Sequence, residues 1–142
     1  MKLPQDSLGF LLADVSRLMR REFQQRLESS SLTLAQARTL VYVSRHEGVH
    51  QVKLAELLEV QPITLARLID QLANAGLVER RPDSVDRRAY QIFLTPAAAS
   101  RLTTIGQVAA AIQADALRDL DEQKVALVFL ALRKMRDNLG SR

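Results

Sequence analysis

Residues 62–95 read PITLARLIDQLANAGLVERRPDSVDRRAYQIFLT, and the spacing of their apolar residues changes once. Over 62–75 the apolar positions Leu65, Leu68, Ile69 and Leu72 recur at steps of three and four, which places them on one side of an amphipathic helix. Pro62 suits the first turn of that helix, because its missing N–H would have no partner there, and Gly76 suits the position just past the end. Beyond Gly76 the period falls to two. Residues 77–81 and 89–94 read as strands, with Tyr90, Ile92 and Leu94 on one face. The residues between them, 82–88, are polar and rich in turn formers, so the strands make a hairpin with a charged tip.

The flanking segments complete the arrangement. Residues 51–58 carry Val52, Leu54, Ala55, Leu57 and Leu58 and predict a short helix, separated from the next by the tight turn Glu59-Val60-Gln61. Upstream, Thr33-Leu34-Ala35-Gln36 is a capping box, in which the hydroxyl and the side-chain amide satisfy free amides at a helix start. That helix carries Ala37, Leu40, Val41 and Val43 and stops at Gly48. Before it, residues 7–29 place Leu8, Leu11, Leu12, Val15, Leu18, Met19, Phe23 and Leu27 at helical spacing, and Ser29-Ser30-Ser31 breaks the run. Downstream, Thr95-Pro96 starts a further helix with Thr95 as its N-cap. It runs to about residue 117; Asp119-Leu120-Asp121 interrupts, and a last helix reaches Asn138 with Val125, Val128, Phe129, Leu132 and Met135 on one side. The predicted fold is mainly α with a small β-hairpin wing. It is a winged helix-turn-helix over 33–95 with helices at 1–30 and 96–142 on either side, in a single domain spanning 1–142.

Composition bounds the function classes. Apolar residues make up 47% and charged residues 25%, an ordinary globular balance. There is no cysteine, which excludes disulfides, thiolate metal sites, cysteine nucleophiles and thiol redox switching. No apolar run approaches the roughly 18–20 residues of a membrane span. Met1-Lys2-Leu3-Pro4-Gln5-Asp6 lacks the apolar stretch and cleavage site of a signal peptide, so a cytoplasmic protein with no membrane partner is expected. There is no nucleophile motif, glycine-rich phosphate loop or recognisable carboxylate pair, and neither an enzyme nor a cofactor is expected. His46 and His50 stand four apart, the spacing of metal ligands on a continuous helix. Gly48 ends the helix between them, so two surface histidines are expected rather than a metal site.

The net charge of +4 suits a polyanionic partner, but position decides more than total. The outer side of the 62–75 helix offers Gln61, Thr64, Arg67 and Gln71. Arginine can pair with both acceptors of guanine, glutamine matches adenine, and a threonine hydroxyl serves a base edge or a phosphate. In a helix-turn-helix this second helix is the one that enters a major groove. The hairpin carries Arg87 and Arg88 at its tip and Arg80 and Arg81 at its base, cations placed to straddle a phosphate backbone and reach the minor groove. Over 61–95 five arginines stand against Asp70, Glu79, Asp83 and Asp86, a balance of only +1. Arrangement therefore carries the reading, and charge does not. Asp86, two residues before Arg88, is placed to brace it across the turn. A merely solvated polar face is the plain alternative for the same residues.

Leu54-Ala55-Glu56-Leu57-Leu58, Thr64 through Leu72, Gly76-Leu77-Val78-Glu79-Arg80, Asp86-Arg87-Arg88 and Leu94-Thr95 closely resemble the MarR family of bacterial regulators. The likeness spans essentially the whole chain, and Arg67 with Asp70-Gln71-Leu72 resembles the SlyA-like branch. The resemblance implies a sequence-specific double-stranded DNA-binding transcriptional regulator, a repressor, acting as a homodimer on a pseudo-palindromic operator. The segments 1–30 and 96–142 correspond to that family's dimerisation helices. Thr64 and Arg67 match groove-facing positions, and Asp86 and Arg88 match the wing's paired acid and base, with Arg88 in the minor groove. The expected DNA-binding set is Gln61, Pro62, Ile63, Thr64, Arg67, Gln71, Arg80, Arg81, Asp86, Arg87 and Arg88.

Members of that family often release DNA when a small aromatic or phenolic ligand binds between the dimerisation and DNA-binding regions. The resemblance implies such an effector here, with Arg38 as a carboxylate partner or, more plainly, a surface arginine. Several residues depart from the family pattern. Glu59 stands where glycine is common, and Gln61 where an acidic or hydroxyl N-cap is common. Ile63 and Ala66 occupy positions often polar, which directs base readout towards apolar contact such as thymine methyls. Gln91 replaces a frequent basic residue and Ala98 a frequent glycine. A winged-helix protein-interaction module and a ligand-insensitive DNA binder are the competing functions.

Overall fold

The computed structural model describes residues 6–141. Residues 1–5 of the expected 1–30 segment, with the leader reading placed on them, and residue 142 of the 96–142 segment lie outside the described residues. The chain divides into two compact units, Met1–Ala109 and Ala110–Arg142. The first unit holds helices α1 (Leu8–Leu27), α2 (Leu34–Arg45), α3 (Gln51–Leu58) and α4 (Pro62–Asn74), strands β1 (Val78–Pro82) and β2 (Tyr90–Leu94), and the start of α5 (Ala98–Ala116). The second holds the end of α5 and α6 (Glu122–Gly140).

Local chemistry sets the helix ends. The expected capping box is present: the Thr33 hydroxyl accepts the Gln36 N–H at 3.1 Å, and the Gln36 side-chain oxygen accepts the Thr33 N–H at 3.0 Å. A cap of this kind stabilises a helix by about 1 kcal/mol. Helix α4 has no side-chain cap at Gln61 and begins instead on Pro62. It closes where Gly76, at φ +76°, lets the Leu77 N–H reach back to the Leu72 carbonyl at 2.9 Å. In the second unit α5 stops before Asp119, which takes φ 72°, and the Asp121 carboxylate caps α6 by accepting the Lys124 N–H at 2.9 Å.

The core of the first unit is built around α4. Leu65, Ile69 and Leu72 are fully buried and cluster with Leu40 and Val43 of α2, Leu54 and Leu58 of α3, Ile92 of β2 and Ala98 and Ile105 of α5. Helix α4 packs on α2, α3 and β1, so three neighbours fix its direction. Strands β1 and β2 pair antiparallel, with Val78 opposite Leu94, Arg80 opposite Ile92 and Pro82 opposite Tyr90. The expected Tyr90, Ile92, Leu94 face is uneven. Ile92 is buried, while Tyr90 is exposed where the hairpin runs out towards its tip. A third, very short partner adds to the sheet: Gly48 donates to the Ile92 carbonyl and Ile92 to the Val49 carbonyl, both at 2.9 Å, and His50 bridges Gln91.

One cap expectation is corrected. Thr95 does not cap α5, which begins at Ala98. Its hydroxyl donates to the Gly76 carbonyl at 2.5 Å and its N–H to the Leu77 carbonyl at 3.0 Å, so Thr95 closes the open end of the hairpin. The strand register places Thr95 beside that turn, and the turn takes the hydroxyl that a cap would have used.

Glu59 ends α3 in the left-handed region at φ 55°, a conformation costing a side chain about 1–2 kcal/mol that glycine adopts freely. Glycine loses more entropy on folding, so the expected net gain from Glu59→Gly is about 0.5–1 kcal/mol. A rise in the urea midpoint at unchanged slope measures it; an unchanged or lower midpoint means the Glu59 side chain stabilises the turn by other means.

Two helices carry apolar side chains that their own unit leaves uncovered. On α1 these include Leu8, Leu11, Leu12, Val15 and Leu18; on α6 they are Leu127, Leu130, Leu132 and Leu139. Among the described residues, no helix is long and apolar enough to cross a membrane.

Candidate nucleic-acid interface

The face of α4 opposite its buried stripe is open. Gln61, Pro62, Ile63, Thr64, Arg67 and Gln71 are all exposed, Ile63 to 64% of its surface. Arg67 makes no ion pair or hydrogen bond with any described residue. Gln71 differs: its side-chain oxygen accepts from the Gln36 amide at 2.8 Å, which couples the second half of α4 to the capping box of α2. The free part of the face is therefore its first two turns.

Arg80 and Arg81, expected as cations at the base of the wing, spend their guanidinium groups within the protein. Arg80 is only 25% exposed. It pairs with Asp70 of α4 at 2.6 Å, donates to the Gln51 side chain of α3 at 2.9 Å and donates to the Ala66 carbonyl of α4 at 3.1 Å. One side chain of β1 thus ties the wing to both helices of the helix-turn-helix. Arg81 pairs with Glu79 and lies over the Phe93 ring, 3.9 Å from its centroid. Gln51 was not singled out in the sequence, where nothing in local spacing marks it, and Glu79 was read there only as a charge set against the arginines.

The tip is organised by two aspartates. One oxygen of Asp83 accepts the N–H groups of Val85 at 2.8 Å and Asp86 at 3.2 Å, and the other lies 2.6 Å from Nε2 of His50. The Asp83 N–H donates to the Ala89 carbonyl at 2.9 Å, closing the loop. The His50 hydrogen bond, followed by those from Val85 and Asp86, lowers the Asp83 pKa from 3.8 to about 2. A lowered carboxylate pKa means that this contribution to order is complete above 3.8 and is lost as pH falls through about 2. Asp86 in turn accepts the Arg88 N–H at 3.0 Å and lies 3.6 Å from its guanidinium, so the structure brings Asp86 and Arg88 together. The Arg88 side chain remains 94% exposed, and Arg87 is exposed with no partner among the described residues.

Helix α2 ends at Arg45, earlier than the expected stop at Gly48, so His46 and His50 do not share a helix. His46 follows α2 with its ring 6.4 Å from that of Tyr42, whose other neighbour is Arg38, 5.5 Å from the ring centroid. His50 precedes α3 and is engaged by Asp83, a partner that the sequence did not reveal.

A short helix, a tight turn, an amphipathic second helix and an antiparallel hairpin packed beside it define a winged helix-turn-helix protein. Residues 32–90 match the model of the MarR family. Solved structures agree over nearly the full length. A crystal structure of MarR is 26% identical, covers 99% of this chain and 97% of its own, and superposes with a TM-score of 0.89. A MarR transcriptional regulator from Methanosarcina mazei Go1 is 24% identical over 92% of this chain and 94% of its own, with a TM-score of 0.85. A mutant MarR from E. coli complexed with operator DNA is 26% identical over 90% of this chain and 92% of its own, with a TM-score of 0.76.

Proposed function

We propose that this chain is a sequence-specific double-stranded DNA-binding transcriptional regulator, a repressor that acts as a homodimer on a pseudo-palindromic operator. One observation carries the reading: Thr64 and an unpartnered Arg67 stand on the exposed first turns of α4, while the opposite side of the helix is locked into the core. Such a helix presents base-reading side chains without having to reorganise. Gln61, Pro62 and Ile63 extend the same surface, and Arg87 and Arg88 supply exposed cations on the wing. Arg80, Arg81, Asp86 and Gln71 serve this surface by holding it in shape. The operator complex of the E. coli relative supports the assignment.

A second copy of the chain is the proposed cover for the apolar residues left open on α1 and on α6, which makes the helices within 1–30 and 96–142 the dimerisation elements. A small aromatic or phenolic effector, with the exposed Arg38 as carboxylate partner, is the proposed release signal. Placement in the SlyA-like branch rests on Arg67 and Asp70-Gln71-Leu72 alone.

Selection from random duplex DNA tests the central claim. Enrichment of a two-fold symmetric sequence supports it; failure to enrich any sequence would return the fold to the protein-interaction role. With the selected duplex in hand, Arg88→Ala is expected to weaken binding on specific and random DNA alike. It should also flatten the dependence of log affinity on log salt by about 0.9 if one phosphate contact is lost. Fluorescence anisotropy across a salt series reads both. An unchanged affinity and slope would remove the wing from the interface.

A further inference from the structure

His50 is the one side chain of the α3 start that reaches the tip of the hairpin. Its backbone is anchored first: residues 48 and 49 bond to Ile92 of β2, and His50 itself bridges Gln91. From that anchored position Nε2 meets Asp83 at 2.6 Å, across 33 residues of sequence. Asp83 is also the residue whose other oxygen gathers the Val85 and Asp86 amides, and Asp86 gathers Arg88. A continuous chain of hydrogen bonds therefore runs from the helix-turn-helix to the Arg88 N–H, and the exposed Arg88 guanidinium forms an ion pair with the same Asp86 carboxylate.

We propose that His50 is a positioning residue for the wing, and that its hydrogen bond to Asp83 sets how firmly the tip is held for DNA. This rests on the DNA-binding reading above. Asp83 is ionised throughout the neutral range, so it accepts and the imidazole donates. The other charges of the neighbouring elements are met elsewhere. On α3, Lys53 lies 3.4 Å from Glu56, and Gln51 holds Arg80, whose charge is met by Asp70 of α4. On the hairpin Arg81 is met by Glu79 and Arg88 by Asp86, while Arg87 is exposed; β2 contributes Tyr90 and the uncharged Gln91. Glu47, just before the bridge, accepts the Leu94 N–H at 3.1 Å.

The ionised carboxylate makes the bond charge-assisted. The His50 side chain is 48% exposed and that of Asp83 19%, so the pair is partly screened, and its loss is expected to lower DNA affinity by about two- to fivefold.

The test compares the full-length wild type with H50Q and H50A at constant salt and pH, using the selected duplex. Glutamine places an amide nitrogen near the Nε2 position and keeps a donor for Asp83. H50A is expected to bind about two- to fivefold more weakly than the wild type, and H50Q to restore most of that loss. An H50A protein that binds normally, or an H50Q protein as weak as H50A, overturns the proposal. A second readout needs no DNA. The Val85 and Asp86 amide resonances, whose protons bond to Asp83, are expected to shift in free H50A and to stay near their wild-type positions in H50Q. Amides unmoved in H50A sink the inference even if DNA binds; a failed duplex selection with shifted amides sinks only the functional reading.

Discussion

Replacing Ile69 by alanine is expected to lower the stability of the fold by about 2–5 kcal/mol, the range for truncating a fully buried isoleucine. Ile69 has no exposed surface and sits midway along α4, between Leu65 and Leu72 in the buried cluster with Leu40, Leu54 and Ile92. Alanine is the better helix former, by about 0.4 kcal/mol, which offsets only a small part of the cavity. The contrasting substitution is six residues earlier on the same helix. Ile63 is 64% exposed, so Ile63→Ala removes almost no core and should change stability by less than about 0.5 kcal/mol. Urea unfolding at one fixed protein concentration measures both, since self-association would otherwise enter the comparison. Equal effects from the two isoleucines would mean that α4 is not anchored by the side assigned here.

The same contrast explains why the fold was legible. Leu65, Leu68, Ile69 and Leu72 announce a helix by spacing alone, and the Thr33 to Gln36 capping box is complete within four residues. The end of α3 at Leu58 and the turn at Gly76 are likewise written in neighbouring residues. Apart from Glu79 with Arg81, two residues apart, the unforeseen partners are remote in sequence. Arg80 reaches Gln51 across 29 residues and Ala66 across 14, Gln36 reaches Gln71 across 35, and His50 reaches Asp83 across 33. Periodicity carries no information about such partners. Thr95 is the instructive case, because its hydroxyl suits an N-cap and a turn closure equally, and only the register with β1 decides between them. For the candidate site, the sequence placed Gln61, Thr64, Arg67 and Gln71 on the outer side of α4, where the structure leaves them exposed, but gave no sign of which wing arginines would be engaged within the protein. Folding separates them: Arg80 and Arg81 are committed to Asp70, Gln51, Glu79 and Phe93, while Arg87 and Arg88 stay exposed.

That separation sharpens what Arg67 is expected to do. Among the arginines between Gln61 and Thr95, Arg67 alone lies on α4, and it has no partner among the described residues to give up on binding. A bidentate contact to guanine from such a side chain contributes about 1–3 kcal/mol of discrimination, so Arg67→Ala should weaken binding to the selected duplex by roughly ten- to a hundredfold. Because the side chain is exposed and makes no contact with the core, folding stability should stay within about 0.5 kcal/mol of the wild type, which separates lost recognition from lost structure. Specificity supplies the sharper criterion. Substituting each base pair of the selected site in turn should reveal one position per half-site at which the wild type discriminates and Arg67→Ala does not. If the variant instead loses the same factor on selected and random DNA, with the salt slope reduced by about one contact, Arg67 reads phosphate. Base recognition would then rest on Thr64 and the apolar Ile63, whose natural partner is the thymine methyl group. Replacing thymine by uracil in the selected site distinguishes the two cases, because it removes that methyl and leaves every guanine contact in place.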